Sequence, residues 1–587
     1  MILQALTAYY ETLLAQGRIA APGWENAFGV SFGLELSECG ELLALVPYQK
    51  ADEKGKLRPQ PMRVPAHVKR SSGVAANFLC DNSAYLLGAD EKGKPERAKA
   101  CFAACAALHH QILDGLDSPA ARAVLAFFDT WQPDAAAQHP LLKDSWKAIA
   151  GGANLVFAFD YGEAKRRPVT EDGQLQKAWQ QYYQNGNPDA PRAQCLITGQ
   201  RLPVALTHPA IKGVKDAQSS GASLVSFNAP AFCSYGHEQG ENAPVSEYAA
   251  FAYTTALNAL LSDREHRRFL GDTTVVCWAE NAGTAYADLG IDALFGIPEE
   301  SGIQQEDLSR ALRALARGEP VSWLEQELQP QQHLYFLGLA PNAARLSVRF
   351  FLRDTLEQFS RHIEAHRQAL DIVRPAFDMQ QALSVRALCW ETVNKKERSP
   401  SPPPQLAGDL LRAVLTGGRY PATMLNAVTL RIRAEREITR GRAAMIKAYY
   451  TRNETGLCPK EVLTVELNEQ SAYAPYVLGR LFAVLEAVQD AANPGINATI
   501  KDKYFNSACA TPAIIFPTLL KLAQKHLQKL DTGSEIFYGK QITSLVGRLM
   551  QPFPDRLSLP EQGAFEIGYY HQTQKRFEKR NGGEDNA

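Results

Sequence analysis

Two segments of the chain gather small, amide and basic side chains around a Ser-Ser-Gly tripeptide. The first is Lys69-Arg70-Ser71-Ser72-Gly73, followed by Asn77 and Asn82. The second is Gln218-Ser219-Ser220-Gly221, preceded by Lys212 and Lys215 and followed by Asn228. Serine and glycine let backbone amides approach phosphate oxygens, and successive N–H groups form an anion nest. Neighbouring Lys and Arg add counter-charge. Asn and Gln amides both donate and accept, which suits base edges in either groove. The chemistry on offer is nucleic-acid binding. Lys69, Arg70, Ser71, Ser72, Gly73, Lys212 and Lys215 would hold phosphates. Asn77, Asn82, Gln218, Ser219, Ser220, Gly221 and Asn228 would approach bases. Gly221 is expected where backbone passes close to nucleic acid or takes a positive φ. The same residues also fit two plain turns capped by Ser and Asn over buried Phe78 and Phe227.

A third candidate is RIRAEREITRGRAAMIK, residues 431–447. Arg433, Arg436 and Arg440 recur at helical spacing, so they predict one basic stripe on one helix. That stripe is either a solvated face balanced by Glu435 and Glu437 or a rail for phosphates. Lys521, Lys525 and Lys529 form a second row at four-residue spacing, and these two rows are the strand-tracking candidates.

Catalytic chemistry finds less support. Cys101, Cys105 and His109 share a helical face, but the helical rise spreads them over about 12 Å. Zinc requires donors at about 2.0–2.3 Å, so a buried face is the better reading. Cys195 with His208, or Cys233 with His237, lacks a third orienting group. The SSG tripeptides lack the GxSxG elbow, and no Walker loop, HExxH or CxxC occurs. No catalytic residue, metal or cofactor is expected.

These residues need positioning elements. The chain has 587 residues, with 62 Lys+Arg against 63 Asp+Glu, which excludes a wholesale basic coat. At roughly 100–200 residues per domain it should hold several domains. Its ten cysteines read as reduced core residues. MILQALTAYYETLL reads as a helix rather than a signal peptide. No apolar run approaches the ~20 residues of a membrane span, so a cytoplasmic protein is expected. Cys39-Gly40 punctuates a hairpin, MRVPAHV reads as a return strand, and residues 98–130 are helical by periodicity. Further strands are expected at 154–161 and 273–278 and beside helices at 334–363. The fold class is an α+β N-terminal and middle portion followed by an all-α C-terminal helical bundle. The expected divisions are 1–270 and 271–398, both α+β, a linker SPSPPP at 399–404, and a helical bundle at 405–587.

Four longer stretches carry a family resemblance. They are RVPAHVKRSSGVAANFLCDNSAYLLG, CLITGQ with HPAIKGVKDAQSSGASLVSFNAPAFCSYGHEQGENAPVSEYAAFAYTTALNALL, YFLGLAPNAARLSVRFFL, and LAGDLLRAVLTGGRYPATMLNAVTLRIRAE. In this order they resemble the large subunit of the type I-C CRISPR Cascade complex over essentially the whole chain. The resemblance implies a non-catalytic subunit: guide pairing reads the target, while protein reads a short PAM in the duplex and helps to open it. It also implies recruitment of a nuclease-helicase in antiviral defence. The implied partners are CRISPR RNA, the backbone, guide-processing and small subunits of Cascade, target double-stranded DNA and that nuclease-helicase, with no membrane. The C-terminal part resembles a Cascade small subunit, and the family resemblance allows a separate product from an internal start such as Met445. Two other readings stay open, a divergent nuclease or thiol hydrolase and an assembly scaffold without base contacts.

Overall fold

A computed structural model describes residues 1–51, 57–68, 73–89, 94–162, 166–185, 191–298, 301–379, 381–398, 400–403, 405–453 and 456–577. Strands and helices alternate through residues 1–370, whereas the described residues from 385 to 577 carry helices and no strand. Mixed α/β in front and a helical bundle behind is the class the sequence pattern predicts. The chain divides into two compact units. One holds Met1–Pro209 with Ser226–Ala256, and the other holds Ala210–Val225 with the chain from Leu257 onward.

The first unit is built on a sheet in which Leu42–Pro47, Phe32–Leu36, Asn154–Asp160 and Cys80–Asn82 lie side by side, with Arg166–Pro168 also paired to Asn154–Asp160. Phe32–Leu36 runs parallel to Asn154–Asp160, pairing Leu34 with Phe157. Leu155 to Phe159 are buried without interruption, as a strand covered on both faces requires. The expected hairpin turns at Cys39-Gly40, where Gly40 has φ +80° and a Cβ would stand 2.3 Å from the Phe127 backbone nitrogen. Only glycine fits that approach. A smaller sheet joins Trp24–Val30, Leu57–Pro65 and Gln49–Ala51. Helices Pro95–Leu113 and Pro119–Thr130 lay Cys101, Phe102, Cys105, Val124, Phe127 and Phe128 into the same core.

The second unit begins with an antiparallel sheet in chain order, Arg267–Leu270, Thr273–Ala279, His333–Asn342 and Arg345–Thr355. Val275, Cys277, Phe336 and Phe350 join one buried cluster with residues of helices Thr284–Phe295 and Leu356–Leu370. That cluster continues without a break into the helical part, through Leu410, Val428, Ile446, Leu481 and Ile567. Pro402, inside the proline-rich segment, lies against Gly271. The helical part centres on Ala474–Ala492, buried from Pro475 to Leu485, and on Leu559–Phe577. These two helices cross at van der Waals range through paired glycines. A Cβ on Gly479 would stand 1.9 Å from the Phe565 carbonyl oxygen, and one on Gly568 would stand 2.2 Å from that of Tyr476. Met445 lies inside helix Arg440–Arg452 and is fully buried.

Candidate nucleic-acid interface

The segment 211–222 sorts its residues by polarity. Ile211, Val214 and Ala222 are buried, while Lys212, Lys215, Gln218, Ser219 and Ser220 are exposed. Ile211 and Ala222 exchange both backbone hydrogen bonds, at 2.9 and 2.8 Å, and so close the loop at its base. Immediately before that closure the Gly221 N–H donates to the Gln218 carbonyl at 2.9 Å, which leaves Ser219 and Ser220 at the corners of a tight turn. Gly221 holds φ +100°, and a Cβ there would meet the Ala210 methyl at 2.8 Å. The positive φ expected at this glycine is present.

The frame beneath the loop uses residues that sequence reasoning passed over. Asn258 accepts the Lys212 N–H at 2.8 Å and donates to the Ala210 carbonyl at 3.0 Å. Thr274 Oγ1 accepts the Lys215 N–H at 3.0 Å. Arg267 donates to the Leu261 carbonyl at 2.5 Å and the Gly213 carbonyl at 3.4 Å, which adds a cation at the loop's edge. The return strand is anchored where Ser223 bonds the hairpin tip at Ala344 and Leu346. Lys215 Nζ rests on the Gly271 carbonyl at 3.0 Å, with donors to spare. The signal for Asn258 was an amide inside the apolar run TALNALL. The result is a polar, cationic loop with a fixed base.

In the first unit, Lys69, Arg70, Ser71 and Ser72 lie outside the described residues. Their flanks are well defined. The Asn77 side-chain carbonyl accepts the Val68 N–H at 2.8 Å, and the Asn77 N–H donates to Asp81 at 2.9 Å. His67 stacks on Phe28 at 3.9 Å. Gly73 is exposed, its carbonyl accepts from Arg97 at 3.3 Å, and Tyr85 Oη accepts the Ala75 N–H at 3.2 Å. Asn77 is only 3% exposed, so no base edge reaches it in this conformation. Asn82 caps helix Ser83–Leu86 by accepting the Ala84 N–H at 3.0 Å. The geometry gives both amides local hydrogen-bonding work. Asn228, assigned to this unit, is exposed.

A family model described as CRISPR-associated protein (Cas_Csd1) matches residues 6–577. The chain belongs to the Cas_Csd1 family. Csd1 is the large subunit of the type I-C Cascade complex. No curated protein matches the sequence.

The basic stripe expected on one helix of this Cas_Csd1 protein is broken in the structure. Helix Ala422–Glu435 ends before Arg436, which turns left-handed at φ +56°, and a new helix starts at Arg440 behind a Thr439 cap. Arg433 is exposed and bonds Gln562 at 2.8 Å, while Arg440 is ion-paired to Asp378 at 3.0 Å. Spacing alone did not reveal the turn, although Thr439 before Arg440 is an N-cap signal. Lys521 and Lys525 do project from one helix, Pro512–Leu527. Lys529 follows its end and reaches Asn493 at 3.1 Å.

His109, Cys195 and His208 are occupied elsewhere. His109 Nδ1 bonds the Cys105 carbonyl at 2.7 Å and its Nε2 accepts the Leu79 N–H at 2.9 Å, so the ring is a neutral strut. Burial lowers its pKa to about 4. His208 Nδ1 bonds Tyr253 Oη at 2.6 Å, and Cys195 Sγ accepts the backbone N–H groups of Ser246 and Ile197. Burial pushes the thiol pKa up, but hydrogen bonds from Ser246 and Thr198 outweigh it and lower the value to about 7. Neither residue orients the other. Among the described residues no helix is long and apolar enough to cross a membrane.

Proposed function

We propose that this large subunit reads the PAM of target double-stranded DNA, promotes duplex opening and R-loop formation, and helps recruit the nuclease-helicase. The loop 211–222 carries the reading. Its exposed Gln218, Ser219 and Ser220 stand on a closed base, with Lys212 and Lys215 beside them for phosphates. A rigid polar turn lowers the ordering cost of base contact, and flanking cations supply sequence-independent attraction. Lys69, Arg70, Ser71, Ser72 and Gly73 form the second phosphate contact, with Asn77 and Asn82 holding that segment's flanks. Asn228 is a further base-edge candidate. Lys521, Lys525 and Lys529, with exposed Arg433, serve a separated strand. The working partners are CRISPR RNA, the other Cascade subunits, target duplex and the nuclease-helicase, in the cytoplasm, with no catalytic step by this chain.

Binding of the assembled complex to duplexes with and without a PAM tests this reading. Duplexes that match the guide equally should differ in affinity by a factor of about 10 or more when the PAM is removed. Equal affinity would favour an assembly scaffold that never touches bases.

A further inference from the structure

An arginine interrupts the most deeply buried helix of the second unit. Ala474–Ala492 is buried continuously from Pro475 to Leu485, and Arg480 in that stretch is 6% exposed. Its Nη1 donates to the Asn468 and Glu469 carbonyls at 3.2 and 3.3 Å, and its Nε donates to Gln572 at 3.1 Å. Among the described residues Nη2 makes no hydrogen bond and no carboxylate closes to an ion pair with this guanidinium. Burial lowers the Arg480 pKa from its ordinary value; the Glu469 carboxylate opposes this through space without closing to an ion pair, so an arriving anion would offset more of the cost of burying the guanidinium.

Arg480 lines a cleft of about 990 Å³ between Ala474–Ala492, Thr532–Gly547 and Leu559–Phe577. Lys540 and Arg576 line the same cleft, as do Glu469 and Glu486. Lys540 is exposed. Glu486 accepts the Tyr569 hydroxyl at 2.6 Å, and Arg576 is paired with Asp490 at 3.2 Å. Phe537, 42% exposed, supplies an aromatic surface beside Tyr538. The volume suits a ligand of nucleotide size. Guanidinium and ammonium groups match a phosphate, and an exposed ring is a stacking platform for any base.

We propose that this cleft seats one nucleotide of a single-stranded nucleic acid, with its phosphate on Arg480 and Lys540 and its base against Phe537. The proposal rests on the reading that the chain works on nucleic acid. An unwound DNA strand and the guide RNA share this chemistry, and the test separates them.

The test uses the assembled complex containing the full chain. Photoreactive thio-pyrimidines are placed in the target strand, the displaced strand or the guide RNA, one at a time, and cross-linked peptides are mapped. Cross-links from one of the three to residues 537–544 are expected, and the labelled strand identifies the source. Lys540→Glu and Phe537→Ala are exposed substitutions that spare the Arg480 framework. Each should cut that cross-link, and the affinity for the strand that gives it, by roughly fivefold or more, with PAM discrimination unchanged. Wild-type complex that binds target without cross-links in this helix, with both variants matching it, would overturn the cleft alone. Wild-type complex that binds no nucleic acid would overturn the functional reading and the cleft together.

Discussion

The side-chain carbonyl of Asn77 accepts the backbone N–H of Val68 at 2.8 Å, bridging the two flanks of residues 69–72. The bond lies next to a buried core, with Asn77 3% exposed and its own N–H on Asp81. Asn77→Ala leaves the Val68 donor without this acceptor and should cost about 1–3 kcal/mol of stability. Duplex affinity should fall alike for every PAM, because the phosphate contact proposed for residues 69–73 would carry no sequence information. Thermal melting with binding across a PAM library checks both. Relaxed discrimination at one PAM position, with unchanged melting, would return Asn77 to the base-reading role.

Gly221→Val places a β-branched side chain at φ +100° and against the Ala210 methyl. The turn must then open, because L-residues avoid that torsion. R-loop formation on duplex DNA should fall well below wild type, while binding to a single-stranded target is kept. Comparing the two substrates in one assay checks this. An equal loss on both would make the loop a general structural element.

Legibility differed along the chain for physical reasons. The hairpin at Cys39-Gly40 was readable because a tight turn imposes local chemistry, here a left-handed glycine under the Phe127 backbone. The helical bundle was readable because apolar periodicity survives burial. The stripe at Arg433, Arg436 and Arg440 misled because spacing assumes an unbroken helix, whereas Arg436 leaves it. Asn77 was ambiguous for a different reason. An amide that suits a base edge also suits a backbone N–H, and only tertiary burial decides between them. Asn258 and Arg480, polar side chains inside apolar runs, were passed over because their roles appear only with their tertiary partners.

Buried Glu566 has its carboxyl pKa raised to about 8 by loss of solvent, with the Arg433 charge opposing. The unfolded chain ionises this group near 4.5, so the folded state binds more protons between those values. Stability from this group is therefore lost as pH rises from about 4.5 to about 8. Glu566→Gln should stabilise the protein at pH 8 more than at pH 5, by an increment on the order of a few kcal/mol. Urea midpoints of both proteins at the two pH values check the sign. An equal gain at both would mean that the carboxyl is solvated.

Gly479→Ala tests the helix crossing. The added methyl would stand 1.9 Å from the Phe565 carbonyl oxygen, so the two helices must separate. A loss of about 1–3 kcal/mol is expected, typical of overpacking. Denaturant unfolding of the full chain measures it, and an unchanged midpoint would contradict the close packing.

A product starting at Met445 would begin inside helix Arg440–Arg452 and lack its Thr439 cap. It would also lose Arg442, which pairs with Glu391 and Glu435 while nearly fully buried. Such a chain should melt at lower temperature than one retaining the helix from residue 439. Intact-mass analysis of protein made from this reading frame shows whether it occurs, as a shorter chain ending at Ala587.

The central claim is that the turn Gln218–Gly221 reads the PAM. Its most direct test is binding of the assembled complex to a randomised PAM library, with wild type compared against Gln218→Ala and Ser219→Ala. Wild type should select a short PAM. At least one variant should lose selectivity at one PAM position, by about 1–3 kcal/mol, while still binding a single-stranded target as wild type does. Identical PAM profiles for all three proteins would contradict the account.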